Sequence, residues 1–161
     1  MLGKLFGKGN NRKLKENEVR VVLPEEAYTL IDYSHDDLPC IAMVNSGLIG
    51  FEHTEIFGWH LSVIIDFDEL IERGMPSEEE RAIVDPFCDQ LEEEIKAGGN
   101  ALFLVSETWN GTRRLVWMVY DPEIAHQHLQ YLIEHHRPFD YRMTEDREWK
   151  QAEWHLRACE T

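Results

Sequence analysis

The sequence predicts an α+β fold: a ferredoxin-like split βαβ sheet with an N-terminal strand pair and an added C-terminal helix. Three observations carry this prediction. The stretch GWHLSVIIDF alternates in hydropathy, with Trp59, Leu61, Val63, Ile65 and Phe67 on one side and His60, Ser62 and Asp66 on the other. Asn110-Gly111 is a strong hairpin signal, because a type I′ turn needs positive φ at both central positions. Two amphipathic helical stretches flank that hairpin, giving the order strand, helix, strand, strand, helix, strand.

Taken in chain order, AYTLIDY (27–33) and PCIAMVNSGL (39–48) form the N-terminal strand pair, with Ser34-His35-Asp36-Asp37 as the turn. After the alternating strand, Ser77 and Glu80 form a capping box, and Glu78, Glu79 and Glu80 suit the positive end of a helix. Val84, Phe87, Cys88, Leu91 and Ile95 supply its inner stripe, and Gly98-Gly99 ends it. Pro86 predicts a kink or restart, with Asp85 as a second cap. Glu92, Glu93 and Glu94 are expected to face water.

If Asn110-Gly111 is the whole loop, Trp109 faces Thr112 and Glu107 faces Arg114. The same register pairs Val105 with Val116, Leu104 with Trp117 and Phe103 with Met118. One face then carries Phe103, Val105, Val116, Met118 and Tyr120; the other carries Leu102, Leu104, Leu115, Trp117 and Val119. An ordinary surface hairpin needs one apolar face, and this one has two. The split βαβ arrangement places its helices on one face, so the second needs cover from the N-terminal strands, the C-terminal helix, a second copy or a partner. The N-terminal pair is the favoured cover, through Ile41, Met43 and Val44, and Trp117 is expected to be buried.

Asp121-Pro122 caps the next helix, whose inner stripe is Ala125, Leu129, Leu132 and His136. FDYRM (139–143) alternates as a strand. A last helix from about Glu145 places Trp149, Ala152 and Leu156 on one side.

The 161 residues make one domain, 17–161, behind a basic tail, 1–16. That tail holds Lys4, Lys8, Arg12, Lys13 and Lys15 against Glu16, a net +4, while the remainder sets eleven Lys or Arg against thirty Asp or Glu, a net −19. Phosphate attraction dominates binding to nucleic acid, so a body this acidic should repel nucleic acid and anionic lipid and favour a basic protein partner. Cys40, Cys88 and Cys159 are too scattered for a disulfide framework, which predicts a cytosolic location. No apolar run reaches the length of a membrane span or secretory signal; Leu2, Leu5 and Phe6 could contribute one helical turn, too little for stable membrane association.

GWHLSVIIDF, SETWNGTRRLVWMVYDPE and FDYRMTEDREWKQAEWHL together resemble the bacterial domain of unknown function numbered 695, over about residues 25 to 157. The strand followed by Asp146, Trp149 and a helix is the most specific part of the likeness. More distantly, that family resembles, in architecture and acidity, the regulator of ribonuclease E activity B, a small acidic protein that inhibits a nuclease by binding it. The resemblance implies a ferredoxin-like domain without an established activity and transfers no catalytic residues.

No cofactor, metal or catalytic signature emerges from the residues. His126 and His128, two apart on a helix, diverge by about 200°. His128 and His135 are two turns apart; His53 with Glu55, and His60 with Asp66 and Asp68, have ligand chemistry without a recognised metal spacing. Cys88 sits on a core stripe, and Gly98-Gly99 follows a helix, the wrong context for a phosphate loop. The resulting expectation is a non-enzymatic protein-binding module, an acidic inhibitor or immunity-type regulator of a basic enzyme such as a nuclease, acting as a monomer or homodimer. Its interaction residues would be Glu92, Glu93, Glu94, Trp109 and Trp117. Trp109 beside the tight turn either caps the sheet end or anchors a partner. The competing expectation is a small ligand-binding protein or enzyme using the open face of the sheet. A concave pocket with convergent polar groups would favour it over a flat acidic or apolar patch.

Overall fold

A computed structural model describes residues 21–160; the basic tail lies outside the described residues. The strands are β1 (Tyr28–His35), β2 (Leu38–Asn45), β3 (Trp59–Asp66), β4 (Ala101–Trp109), β5 (Thr112–Val119) and β6 (Asp140–Glu145). The α-helices are α1 (Glu78–Lys96), α2 (Pro122–His135) and α3 (Glu153–Ala158). All six strands join one sheet in the order β1-β2-β4-β5-β3-β6, every neighbouring pair antiparallel. The fold is α+β.

The turns follow their chemistry. Asn110 and Gly111 take φ of 45° and 80°, so the hairpin closes where the sequence places it, with Trp109 opposite Thr112 and Glu107 opposite Arg114. Asp36 and Asp37 also adopt positive φ, 51° and 61°, and Ser34 and His35 remain in β1 rather than joining the turn. Ser77 Oγ accepts from the Glu80 N–H at 3.1 Å, and Asp121 caps α2 with Pro122 behind it.

The hairpin register changes beyond Val105. A β-bulge between Phe103 and Val105 pairs Phe103 with Trp117 and Leu102 with Met118, leaving Leu104 unpaired. One extra residue moves Phe103 to the face opposite that of Val105, which corrects the expected Phe103–Met118 and Leu104–Trp117 pairs. Phe103 and Trp117 thereby meet edge to face, ring centroids 5.5 Å apart, beneath the helices.

Each face of the sheet has its own core. Under α1 and α2, Val84, Cys88, Leu91, Ile95, Ala125, Leu129 and Leu132 pack on Leu61, Val63, Ile65, Phe103, Leu115 and Trp117. Trp117 is fully buried, as expected, though beneath the helices. His136 lies just past α2, outside its stripe, and touches the Phe87 ring. Pro86 sits inside α1, which runs unbroken from Glu78 to Lys96, so it starts no second helix.

On the opposite face, Leu102, Leu104, Val105, Val116 and Met118 are covered by Leu48 and Phe57 from the β2–β3 connection and by Trp149 and Ala152 near the C-terminus. The N-terminal strands do not provide this cover. They pair edge-on with β4 and widen the sheet, because antiparallel pairing satisfies the backbone groups that β4 would otherwise expose.

The C-terminal cover begins as a turn rather than a helix. The Asp146 carboxylate accepts from the N–H groups of Lys150 and Gln151, both at 2.9 Å. Trp149 takes a φ of 57°, costly for a bulky side chain, and its indole N–H donates to the carbonyls of Thr54 and Phe57. Its ring stacks on Phe51 at 5.5 Å. The helix therefore starts at Glu153, eight residues later than about Glu145.

Candidate functional site

Beyond this cover the second face opens into a cleft of about 880 Å³, between the hairpin tip, β6 and α3. Sheet register places its floor. Glu107 of β4 lies opposite Arg114 of β5, and Arg114 lies opposite Ile64 of β3. One row along, Ser62 of β3 pairs with Arg142 of β6; the next row brings His60 beside Thr144.

These side chains form a connected polar group. Tyr33 Oη donates to Glu107 Oε2 at 2.7 Å, and His155 Nε2 lies 2.9 Å from the same oxygen. Arg114 Nη1 is 3.9 Å from Glu107 Oε1, and Arg114 Nε donates to Ser62 Oγ at 2.9 Å. Burial alone would raise the Glu107 carboxyl; hydrogen bonds from His155 and Tyr33 outweigh it and hold the group below its ordinary value. Burial pushes His60 down to about 4, assisted by the Arg114 charge, so its imidazole is neutral at physiological pH. His155 Nδ1 is buried without a hydrogen-bond partner among the described residues. Cys40 also lines the cleft, but burial pushes its thiol up to about 11, which removes it as a thiolate nucleophile near neutrality.

Two indoles stand at the rim. Trp154 is half exposed and tilts against Tyr33 at 4.9 Å. Trp109 lies against the His35 ring at 4.8 Å and donates its indole N–H to the His35 carbonyl at 2.9 Å. Trp109 is therefore tied to His35 at the end of β1 while still lining the cleft.

The remaining expected residues lie elsewhere. Glu92, Glu93 and Glu94 are on α1, across the sheet from the cleft. Glu93 faces water, but Glu92 is partly buried beside Lys96 at 3.2 Å and Tyr28 Oη at 3.2 Å, while Glu94 accepts from Gln90. His60 and Ser62, on the strand face opposite Leu61 and Val63, are buried beside the polar group. His126 contacts Tyr141 Oη, and His135 Nδ1 lies 2.8 Å from the Tyr131 carbonyl. Among the described residues no three His, Cys, Asp or Glu side chains are placed to hold a metal ion. No described helix is long and apolar enough to cross a membrane.

The sequence places Glu107 against Arg114 as a cross-strand pair and shows nothing further of the group. It misses Tyr33 and His155, which lie 74 and 48 residues from Glu107. The available signal was His155 and Trp154 within the family-specific C-terminal segment.

No curated protein and no solved structure matches the chain, so the resemblance to the regulator of ribonuclease E activity B finds no support in these comparisons. A family model does match, over residues 29–153, spanning every strand but the first residue of β1, both long helices and the Asp146–Trp149 turn. The chain belongs to this family, the family of unknown function DUF695.

Proposed function

We propose that the cleft binds a small anionic molecule with a flat apolar portion. The observation that carries this reading is the placement of Arg114 and Arg142 on either side of Ser62, below the two indoles of Trp109 and Trp154. Guanidinium groups match carboxylate and phosphate geometry, and indole faces suit flat apolar groups. The Tyr33–Glu107–His155 bonds fix Glu107 against Arg114 and hold the floor in one arrangement before ligand arrives. With His60 neutral and the Cys40 thiol protonated, the group is suited to recognition rather than to nucleophilic attack. Phenyl phosphate supplies both required features. Its titration should change tryptophan fluorescence saturably, and Arg114→Gln should weaken binding at least about tenfold, the usual worth of a charge-assisted hydrogen bond. A flat titration, or equal affinity in the variant, would contradict the reading.

A second reading, a non-enzymatic module for a basic protein, is supported by the −19 charge outside residues 1–16 and by the acidic α1 surface. Inhibition of a nuclease would be one form of it. We also read β6-β3-β5-β4, with α1 and α2 as crossovers, as the ferredoxin-like split βαβ unit, and β1-β2 as its extension. Free Cys40 and Cys88 support a cytosolic location.

A further inference from the structure

The sheet is six strands wide, but α1 and α2 do not cover the helix-side face of β1 and β2. A second cleft of about 880 Å³ lies there, on the opposite face from the polar one. Its floor and outer edge carry Leu30 (60% exposed), Ile41 (41%) and Met43 (40%), and Ile71 (61%) closes one end. Leu30 and Met43 are opposite one another on β1 and β2, with Ile41 two residues along, so these side chains form one apolar patch. Nothing within residues 21–160 covers them.

We propose that this trough receives a helix from a protein partner, with an apolar stripe flanked by Lys or Arg. This rests on the second reading above, a basic protein partner, and locates its surface. The wall of the trough is α1, which presents Asp85, Asp89 and Glu92 at helical spacing. Glu26 stands at the far end and Asp32 projects from β1 on the same side as Leu30. The nearby bases are already engaged: Lys96 by Glu26 and Glu92, Arg113 by Asp85, and Arg81 by Asp85. Those pairs engage Glu26, Glu92 and Asp85 as well, so the surplus is the negative charge of Asp89 and Asp32 beside an apolar floor, which complements a cationic amphipathic segment. From Arg81 to Glu92 the wall is about 16 Å long at 1.5 Å per residue, room for three helical turns. A helix there would complete the layer that α1 and α2 begin. A second copy of this chain is disfavoured by the same charge, since two-fold pairing would oppose one acidic wall to another.

The probe is a synthetic peptide of about 14 residues with Leu at helical spacing and Lys elsewhere, short enough to be marginally helical alone. Its controls are a shuffled-order peptide of the same composition and one with Glu in place of Lys. Binding to the full chain should induce helical circular dichroism in the Leu/Lys peptide and shift the Leu30, Ile41 and Met43 resonances. Leu30→Asp and Met43→Asp, both at exposed positions, should each weaken binding at least tenfold, and Asp89→Lys should weaken it further at low salt. Arg114→Gln should leave it unchanged. If the shuffled peptide binds equally, or the variants do not weaken binding, acidity alone recruits the peptide and the trough is not the site. An extended peptide pairing with β1, or self-association of the chain through Leu30 and Met43, would also overturn the proposal. Absence of binding by every cationic peptide would remove the basic-partner reading along with it.

Discussion

Glu80 and His60 show how one titratable side chain fixes a local structure that its sequence context does not suggest. Ser77-x-x-Glu80 has the form of a reciprocal capping box, but only half of it forms. The Glu80 carboxylate turns inward and accepts from the Asp68 and Glu69 N–H groups and from Arg137, whose Nη1 is 2.7 Å away. The Arg137 hydrogen bond is the main cause that holds Glu80 at about 2, below its ordinary value of 4.5. A depressed carboxylate stabilises the fold above its unfolded value and loses that contribution as pH falls. Glu80 should therefore contribute stability near neutrality that is lost between pH 4.5 and about 2. His60 acts in a different window. Its imidazole is held neutral, so folding resists its protonation, and stability should fall as pH drops from 6.5 towards about 4. Urea unfolding measured from pH 8 to pH 3 should show both losses. His60→Gln should flatten the upper window alone, and Glu80→Gln should reduce the loss in the lower one, where Glu107 also contributes; a wild-type curve flat from pH 7 to 4.5 would contradict the burial of His60.

At the scale of elements, the C-terminal turn decides whether the second sheet face is closed. Trp149 joins the stack on Phe51, two carbonyl bonds and a positive φ, all organised by Asp146. Trp149→Ala should cost about 3–5 kcal/mol in chemical denaturation, and Asp146→Asn, which loses one acceptor, about 1–2 kcal/mol. A loss below 1 kcal/mol for Trp149→Ala would mean that this cover is dispensable. Much at this level was legible. Asn110-Gly111 fixed the hairpin register as far as Val105, and strict alternation identified β3. The bulge was not legible, because Leu104 is an ordinary strand residue and only the packing of Phe103 against Trp117 selects the extra step. The late start of α3 was hidden for a related reason. Trp149, Ala152 and Leu156 keep helical spacing whether or not the first turn is helical, and Trp149 gives no hint of its backbone conformation.

For the whole molecule, two apolar hairpin faces required two layers of cover, and the chain supplies both. The fully buried Trp117 should resist iodide quenching in a single-Trp variant, with sedimentation independent of concentration. Ready quenching would contradict the helix-side core. The polar cleft was harder to read than the cores. Glu107 and Arg114 were visible as neighbours, but Tyr33, His60 and His155 reach them only through pairings between distant segments. Alternation set His60 and Ser62 on the face opposite Leu61 and Val63, but nothing local indicates that they are buried there. The outcome is a molecule with two different faces: a polar cleft with Arg114 and Arg142 beneath indoles on one, and an acidic apolar trough on the other. The central claim is that the first of these is a ligand site. Amide and indole shift mapping of the full chain during a phenyl phosphate titration tests it most directly. Saturable shifts at His60, Arg114, Trp109 and Trp154, absent in Arg114→Gln and absent from Leu30 and Met43, are the predicted result; no saturable shift in the cleft, or shifts confined to the trough, would contradict it.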